Sequence, residues 1–220
     1  MEYYDQKAKL LPGNKYFNDL HSSIPVNNEG YRTLNFEDID WADSIVLFGC
    51  SMVFGDGLNE EETIAHQLSK VAGRPVINLG VPASSILYSV HNQLALKELN
   101  STPYAVVNLW TAIERHTYFL KNEPVSLGPW ANKELGQMLF AFYCTWSQNE
   151  HNIKSNAVFL KRIAEMFWTD TKHIQASFFE STAKLFDVPL LKIEDFAGDG
   201  EHPGPQTAQA VAEQIALWCR

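Results

Sequence analysis

The chain has 220 residues, 45% hydrophobic and 20% charged, the make-up of a soluble globular protein long enough to bury a substantial core. Its formal charge of −9 and sequence pI near 5.2, with no Lys/Arg run, argue against a nucleic-acid binder or a protein held on anionic membranes. A neutral ligand, or one held by a few specific groups, suits this balance better.

The start, MEYYDQKAKLLPGNKYF, lacks the basic and apolar regions of a secretory signal. No apolar run approaches the roughly 18 residues of a membrane helix, so a cytoplasmic or virion-associated protein is expected. Residues 1–40 read as an irregular arm on a single domain covering 1–220. Short apolar runs then alternate with helical patterns: SIVLF (44–48), PVINL (75–79), AVVNLW (105–110), HIQASFF (173–179) and VPLLKI (188–193). They are continuous rather than alternating, as in parallel strands covered on both faces.

Between the first two runs, Asn59 and Glu62 form a capping-box pattern. Ile64, Ala65, Leu68, Val71 and Ala72 share one helical face, and Gly73 is placed to stop that helix. A second helix is expected over 85–99, aromatic-rich helices over 131–169, and a closing helix over about 206–218. Cys50, Cys144 and Cys219 are odd in number and without metal or redox spacing, so reduced thiols are expected. The βαβ rhythm predicts a three-layer α/β/α sandwich with right-handed crossovers, whose site lies beyond the carboxyl ends of the strands.

Three motifs fall at such ends. Ser51, in Gly49-Cys50-Ser51-Met52, follows the first strand and reads either as a turn serine or as a nucleophile. Gly80 follows the second strand and is either a turn glycine or the source of a backbone N–H for an oxyanion hole. After the last strand, Asp199-Gly200-Glu201-His202-Pro203-Gly204 sets a carboxylate and an imidazole three residues apart. A serine nucleophile needs a neutral imidazole to take its proton and a carboxylate to fix the tautomer. The neighbouring Gly55-Asp56-Gly57-Leu58 lies past the turn, and its glycines are expected to shape the loop into the following helix.

These blocks resemble those of the SGNH/GDSL hydrolase family. The resemblance implies a flavodoxin-like fold with a five-stranded parallel sheet and a Ser-His-Asp triad of Ser51, His202 and Asp199. It implies an oxyanion hole from the N–H groups of Ser51 and Gly80, with no metal or organic cofactor. Cys50 stands where the family has aspartate. The third family block, Gly-x-Asn-Asp, is absent: Trp110 and Ala112 fall at its glycine and asparagine. Thr111 is the candidate replacement donor, and Asn108 could serve only if the third strand ended earlier. The stretches VNNEGYRT (26–33) and NEEET (59–63) resemble members of phage or bacterial origin.

Glu114 and Arg115 either line the pocket, with Arg115 a clamp for an anionic group, or make a surface or intramolecular ion pair. His116 beside Glu114 lacks a second ligand cluster, and no metal is expected. His21, His66, His91, His151 and His173 read as surface or packing residues. Phe140, Phe142, Tyr143 and Trp146 are either core or a lid over the substrate. No dinucleotide or P-loop fingerprint is present. The expected activity is hydrolysis of an acyl ester, such as acetyl on a carbohydrate. A catalytically weak binding module and an O-acyltransferase stand as alternatives, and no nucleic-acid or membrane partner is expected.

Overall fold

The predicted apolar runs become strands because each has two faces to bury. The computed structural model describes residues 24–99, 102–120, 123–130 and 136–220. Strands β1 (Ile45–Gly49), β2 (Val76–Gly80), β3 (Ala105–Trp110) and β6 (Lys172–Ser177) form a parallel sheet in the order β2-β1-β3-β6. Every residue of β1 and β3 is buried and all but Asn108 are apolar, which explains their continuous rather than alternating pattern.

Helices α2 (Ile64–Ala72) and α7 (Pro205–Cys219) cover one face, against Ile45, Leu47, Val107 and Ala176. The other face, with Val46, Phe48 and Val106, is covered by α3 (Ile86–Glu98) and the end of α5 (Glu150–Phe167), where Trp168 is buried. The short α1 (Ser51–Phe54), α4 (Gly136–Ser147) and α6 (Glu180–Phe186) complete the helices among the described residues. The arrangement is a three-layer α/β/α sandwich.

One expectation needs correction. The sheet has four strands, not five. Around VPLLKI only Leu190 bridges to Ser177, with Leu191 N–H donating to Ser177 O at 2.8 Å. Pro189 has no N–H to continue the ladder, so the chain touches the sheet edge and leaves it. A separate antiparallel pair, β4 (His116–Leu120) with β5 (Glu123–Leu127), forms in a stretch where the sequence pattern predicts no element.

The capping box is present, with Asn59 N–H donating to Glu62 Oε2 at 2.9 Å, but it opens a 3-10 turn (Glu60–Glu62). Thr63 then caps α2, and Gly73 ends it in the left-handed region at φ 65°. The arm over 24–43 carries two further 3-10 turns, and the expected arm before Ile24 lies outside the described residues. Its Arg32 is buried. The guanidinium donates to Gly55 O at 2.8 Å and Leu58 O at 3.0 Å and pairs with Glu60 at 2.7 Å, holding the loop after α1.

Behind the sheet, Asn108 Nδ2 donates to Gln93 Oε1 at 3.3 Å and lies 3.0 Å from His173 Nε2, which must then accept as a neutral ring. Burial pushes His173 down to about 4. A histidine depressed below its usual 6.5 binds fewer protons folded than unfolded, so its contribution is whole above pH 6.5 and is lost as pH falls toward 4. Stability is expected to drop by up to about 3 kcal/mol across that window. In urea titrations at stepped pH, His173→Gln should flatten the drop; an unchanged slope would assign it to other groups.

Candidate active site

The Ser51 turn is built on two glycines in register, Gly49 at the end of β1 and Gly80 at the end of β2. A Cβ on Gly80 would lie 2.6 Å from Phe54 N, and one on Gly49 would run into Val53. Bare strand ends therefore let α1 sit directly across the carboxyl edge of the sheet, with Ser51 as its first residue. Gly55, in the left-handed region at φ 86°, closes the turn by donating to Ser51 O at 2.9 Å. Ser51 is 6% exposed.

The DxxH loop is self-templated. Asp199 Oδ1 accepts the N–H groups of Glu201 at 2.9 Å and His202 at 3.0 Å, which leaves Oδ2 on His202 Nδ1 at 2.7 Å. Burial works to raise the Asp199 pKa, but these amides and the imidazole outweigh it and hold the carboxylate at about 2. With Nδ1–H given to Asp199, the other ring nitrogen is the free base. Asp195 lies against the start of α7 just behind, accepting from Thr207 N at 2.8 Å and Gln206 N at 3.1 Å.

The two turns meet through the tetrapeptide Gly55-Asp56-Gly57-Leu58. Asp56 N–H donates to Ser51 O at 3.2 Å, and its buried carboxylate brings Oδ2 to 3.9 Å from His202 Nε2. A Cβ at Gly57 would stand 2.9 Å from Asp199 Oδ2, so the loops are in contact. No direct hydrogen bond joins Ser51 Oγ to His202. The sequence reading gave the two glycines their role, and both have positive φ, but it missed Asp56.

The expected oxyanion donors fare differently. Gly80 N–H is already used, donating to Asn78 Oδ1 at 3.0 Å, so that assignment is corrected. Immediately after it, Val81-Pro82-Ala83-Ser84 forms a turn closed by Ser84 N–H to Val81 O at 3.1 Å. Proline second and a positive φ third mark a type II turn, and the third position is Ala83 at φ 60°. The central peptide of such a turn leaves its N–H outside the closing bond. Among the described residues neither the Ala83 nor the Ser51 amide has an acceptor. Ser84 Oγ and Val81 N both donate to Gly49 O, at 3.2 and 3.0 Å, which fixes this turn beside the Ser51 turn. An alanine in a glycine's conformation hid this from the sequence.

On the β3 side, Asn108 is inside the strand and committed to Gln93 and His173. Thr111 follows the strand, 2% exposed, with Oγ1 unpaired. Arg115 lies at the end of a turn closed by its own N–H on Ala112 O at 3.2 Å. Its guanidinium is 5.1 Å from the Trp130 ring centroid and 5.5 Å from that of Phe179, and no ion pair to Glu114 forms. His116 stacks 4.5 Å from Trp146 and 5.6 Å from Phe142, and burial lowers its pKa. Among the described residues no cluster of three His, Cys, Asp or Glu could hold a metal, and no helix is long and apolar enough to cross a membrane.

Comparison of structures decides the fold. A carbohydrate esterase family 2 enzyme with a carbohydrate-binding domain, from Corynascus thermopiles (Myceliophthora fergusii), superposes with a TM-score of 0.51 at 11% identity, over 80% of this chain and 65% of that one. The two chains share a fold. The acetyl xylan esterase Est2A from Butyrivibrio proteoclasticus gives 0.49 at 11% identity, over 82% and 64% of the two chains. A protein assigned to the G-D-S-L lipolytic family of Desulfitobacterium hafniense gives 0.47 at 14% identity, over 80% and 99%. The chain thus spans just under two thirds of the two larger esterases. No family model and no curated protein matches the sequence.

Proposed function

We propose that this SGNH-fold chain is a serine hydrolase of acyl esters, with Ser51 as nucleophile, His202 as general base and Asp199 as its orienting carboxylate. The observation that carries the reading is the 2.7 Å Asp199–His202 bond, with Nε2 left toward the loop that closes the Ser51 turn. Ser51 Oγ attacks the ester carbonyl and gives its proton to Nε2. The imidazolium so formed lies between Asp199 and Asp56, two carboxylates that favour its charge. It then protonates the departing alcohol, and water releases the acid by the same route in reverse.

The oxyanion rests on the N–H groups of Ser51 and Ala83, with Thr111 Oγ1 as third donor in place of the missing asparagine. A side-chain donor of this kind is worth about 10²–10³ in turnover where it has been removed from other enzymes. The acyl group proposed is small, such as acetyl on a carbohydrate alcohol.

The test is covalent labelling together with turnover. Wild type should react with a fluorophosphonate at Ser51 and hydrolyse p-nitrophenyl acetate, and Ser51→Ala should do neither. Equal inertness of both proteins, with no label at Ser51, would leave a binding module on the same fold. Product analysis with an added sugar alcohol separates hydrolysis from acyl transfer.

A further inference from the structure

Three buried donors without acceptors lie in or against the segment that leaves β3. Thr111 Oγ1, Arg115 Nη1 and Trp146 Nε1 are each buried without a hydrogen-bond partner. All three belong to one neighbourhood. Thr111 and Arg115 lie in the segment that leaves β3 at the carboxyl edge, and Trp146 stacks on His116, the next residue. Two of the three, the guanidinium and the indole N–H, can only donate.

Leaving buried donors unmet is costly, most of all on a charged group. The structure meets part of that cost for Arg115 by placing its guanidinium between the Trp130 and Phe179 rings, which favour a cation but accept few hydrogen bonds. Those rings come from the segments after β5 and β6, so three segments converge on one arginine. The groups electrostatically coupled here include Glu114 and Tyr143. Burial raises the Tyr143 pKa first, Glu114 adds to it, and Arg115 opposes. Glu114 is therefore within range, yet it makes no ion pair with Arg115.

We propose that Arg115 binds a carboxylate on the alcohol portion of the ester, so that the substrate is a small acyl ester of an acidic alcohol such as an acidic sugar. This rests on the hydrolase reading above. An acetyl group carries no charge of its own, which leaves the alcohol as the part able to supply the anion. A planar guanidinium can make two parallel bonds to carboxylate oxygens, and Nη1 is the buried donor that one of them would use. Lysine could not reproduce that geometry.

The test compares 3- and 4-acetoxybenzoate with the matching neutral acetoxybenzamides. Wild type should favour the carboxylates by about tenfold or more in kcat/KM. Arg115→Met should abolish that preference, and Arg115→Lys should recover only part of it. Thermal unfolding of each variant shows whether it is folded. Binding of the same four compounds to Ser51→Ala by calorimetry reads the anion site without catalysis. Carboxylate-selective binding that depends on Arg115, with no turnover in wild type, would keep the anion site and reject the hydrolase. Equal treatment of carboxylate and amide by wild type, or a preference that survives in Arg115→Met, would overturn the proposal.

Discussion

Replacing His202 by alanine is expected to lower kcat for p-nitrophenyl acetate by about 10⁴–10⁶-fold, and Asp199→Asn by about 10⁴. The two losses have different origins. Without His202 nothing takes the proton from Ser51. In the Asp199→Asn variant the imidazole stays in place, but an amide N–H now faces Nδ1 and forces the proton onto Nε2, the nitrogen that must be free. The rate of fluorophosphonate labelling should fall in parallel, because labelling needs the same proton transfer. His202 is only half-buried and its main-chain carbonyl still receives Ala197 N–H at 2.8 Å in either variant, so both should fold. Asp199→Asn should unfold somewhat earlier at neutral pH, because it gives up the favoured carboxylate. Turnover that survives either substitution would remove these residues from the mechanism. The acid side of the profile adds a check. Asp199, held at about 2, is charged above the ordinary carboxylate range and loses its role only as pH falls toward 2. Any change of rate between pH 5 and 9 must therefore come from another group.

How much of this was legible in the sequence depended on whether a residue's type announces its conformation. β1, β2 and β3 were legible because strands covered on both faces are mostly apolar and no helix of that length competes. β6, with Lys172 exposed and His173 and Gln175 half-buried, was legible through Ile174 and Ala176. The fifth strand was not, because VPLLKI has the apolar content of a strand while Pro189 cannot donate to the ladder. The hairpin after β3 was hidden by His116 and Pro124, and by side chains such as Tyr118 and Phe119 that remain partly exposed. In the site, the DxxH spacing was readable since one turn of chain can join its ends. Asp56 was not, because its nearness to His202 depends on two left-handed glycines and on Arg32 pulling three loop carbonyls from a distant arm. Gly80 was read as a donor because it follows a strand. The structure gives it a steric reason instead.

That steric reason leads to the second large effect. Gly80→Ala is expected to destabilise the protein by about 2–3 kcal/mol, lowering Tm by about 5–10 °C. The added methyl would meet backbone atoms, Phe54 N at 2.6 Å and the Val53 carbonyl carbon at 2.9 Å, which no rotamer change relieves. Relief requires α1 to lift from the sheet edge, and Ser51 is its first residue, so turnover should fall with stability. The amide N–H is kept in this variant, so a loss of activity reports displacement of Ser51 rather than loss of a donor. Ala83→Gly should go the other way, stabilising by about 0.5 kcal/mol, because relief of the left-handed alanine slightly exceeds the added unfolded-state entropy. Its N–H is also kept, so activity should persist. Calorimetric unfolding and p-nitrophenyl acetate kinetics on both variants separate the roles: a Gly80→Ala protein with wild-type Tm and rate would mean that α1 is not seated on the strand ends, and an inactive Ala83→Gly would mean that the strained turn itself, not just its amide, is needed for the chemistry.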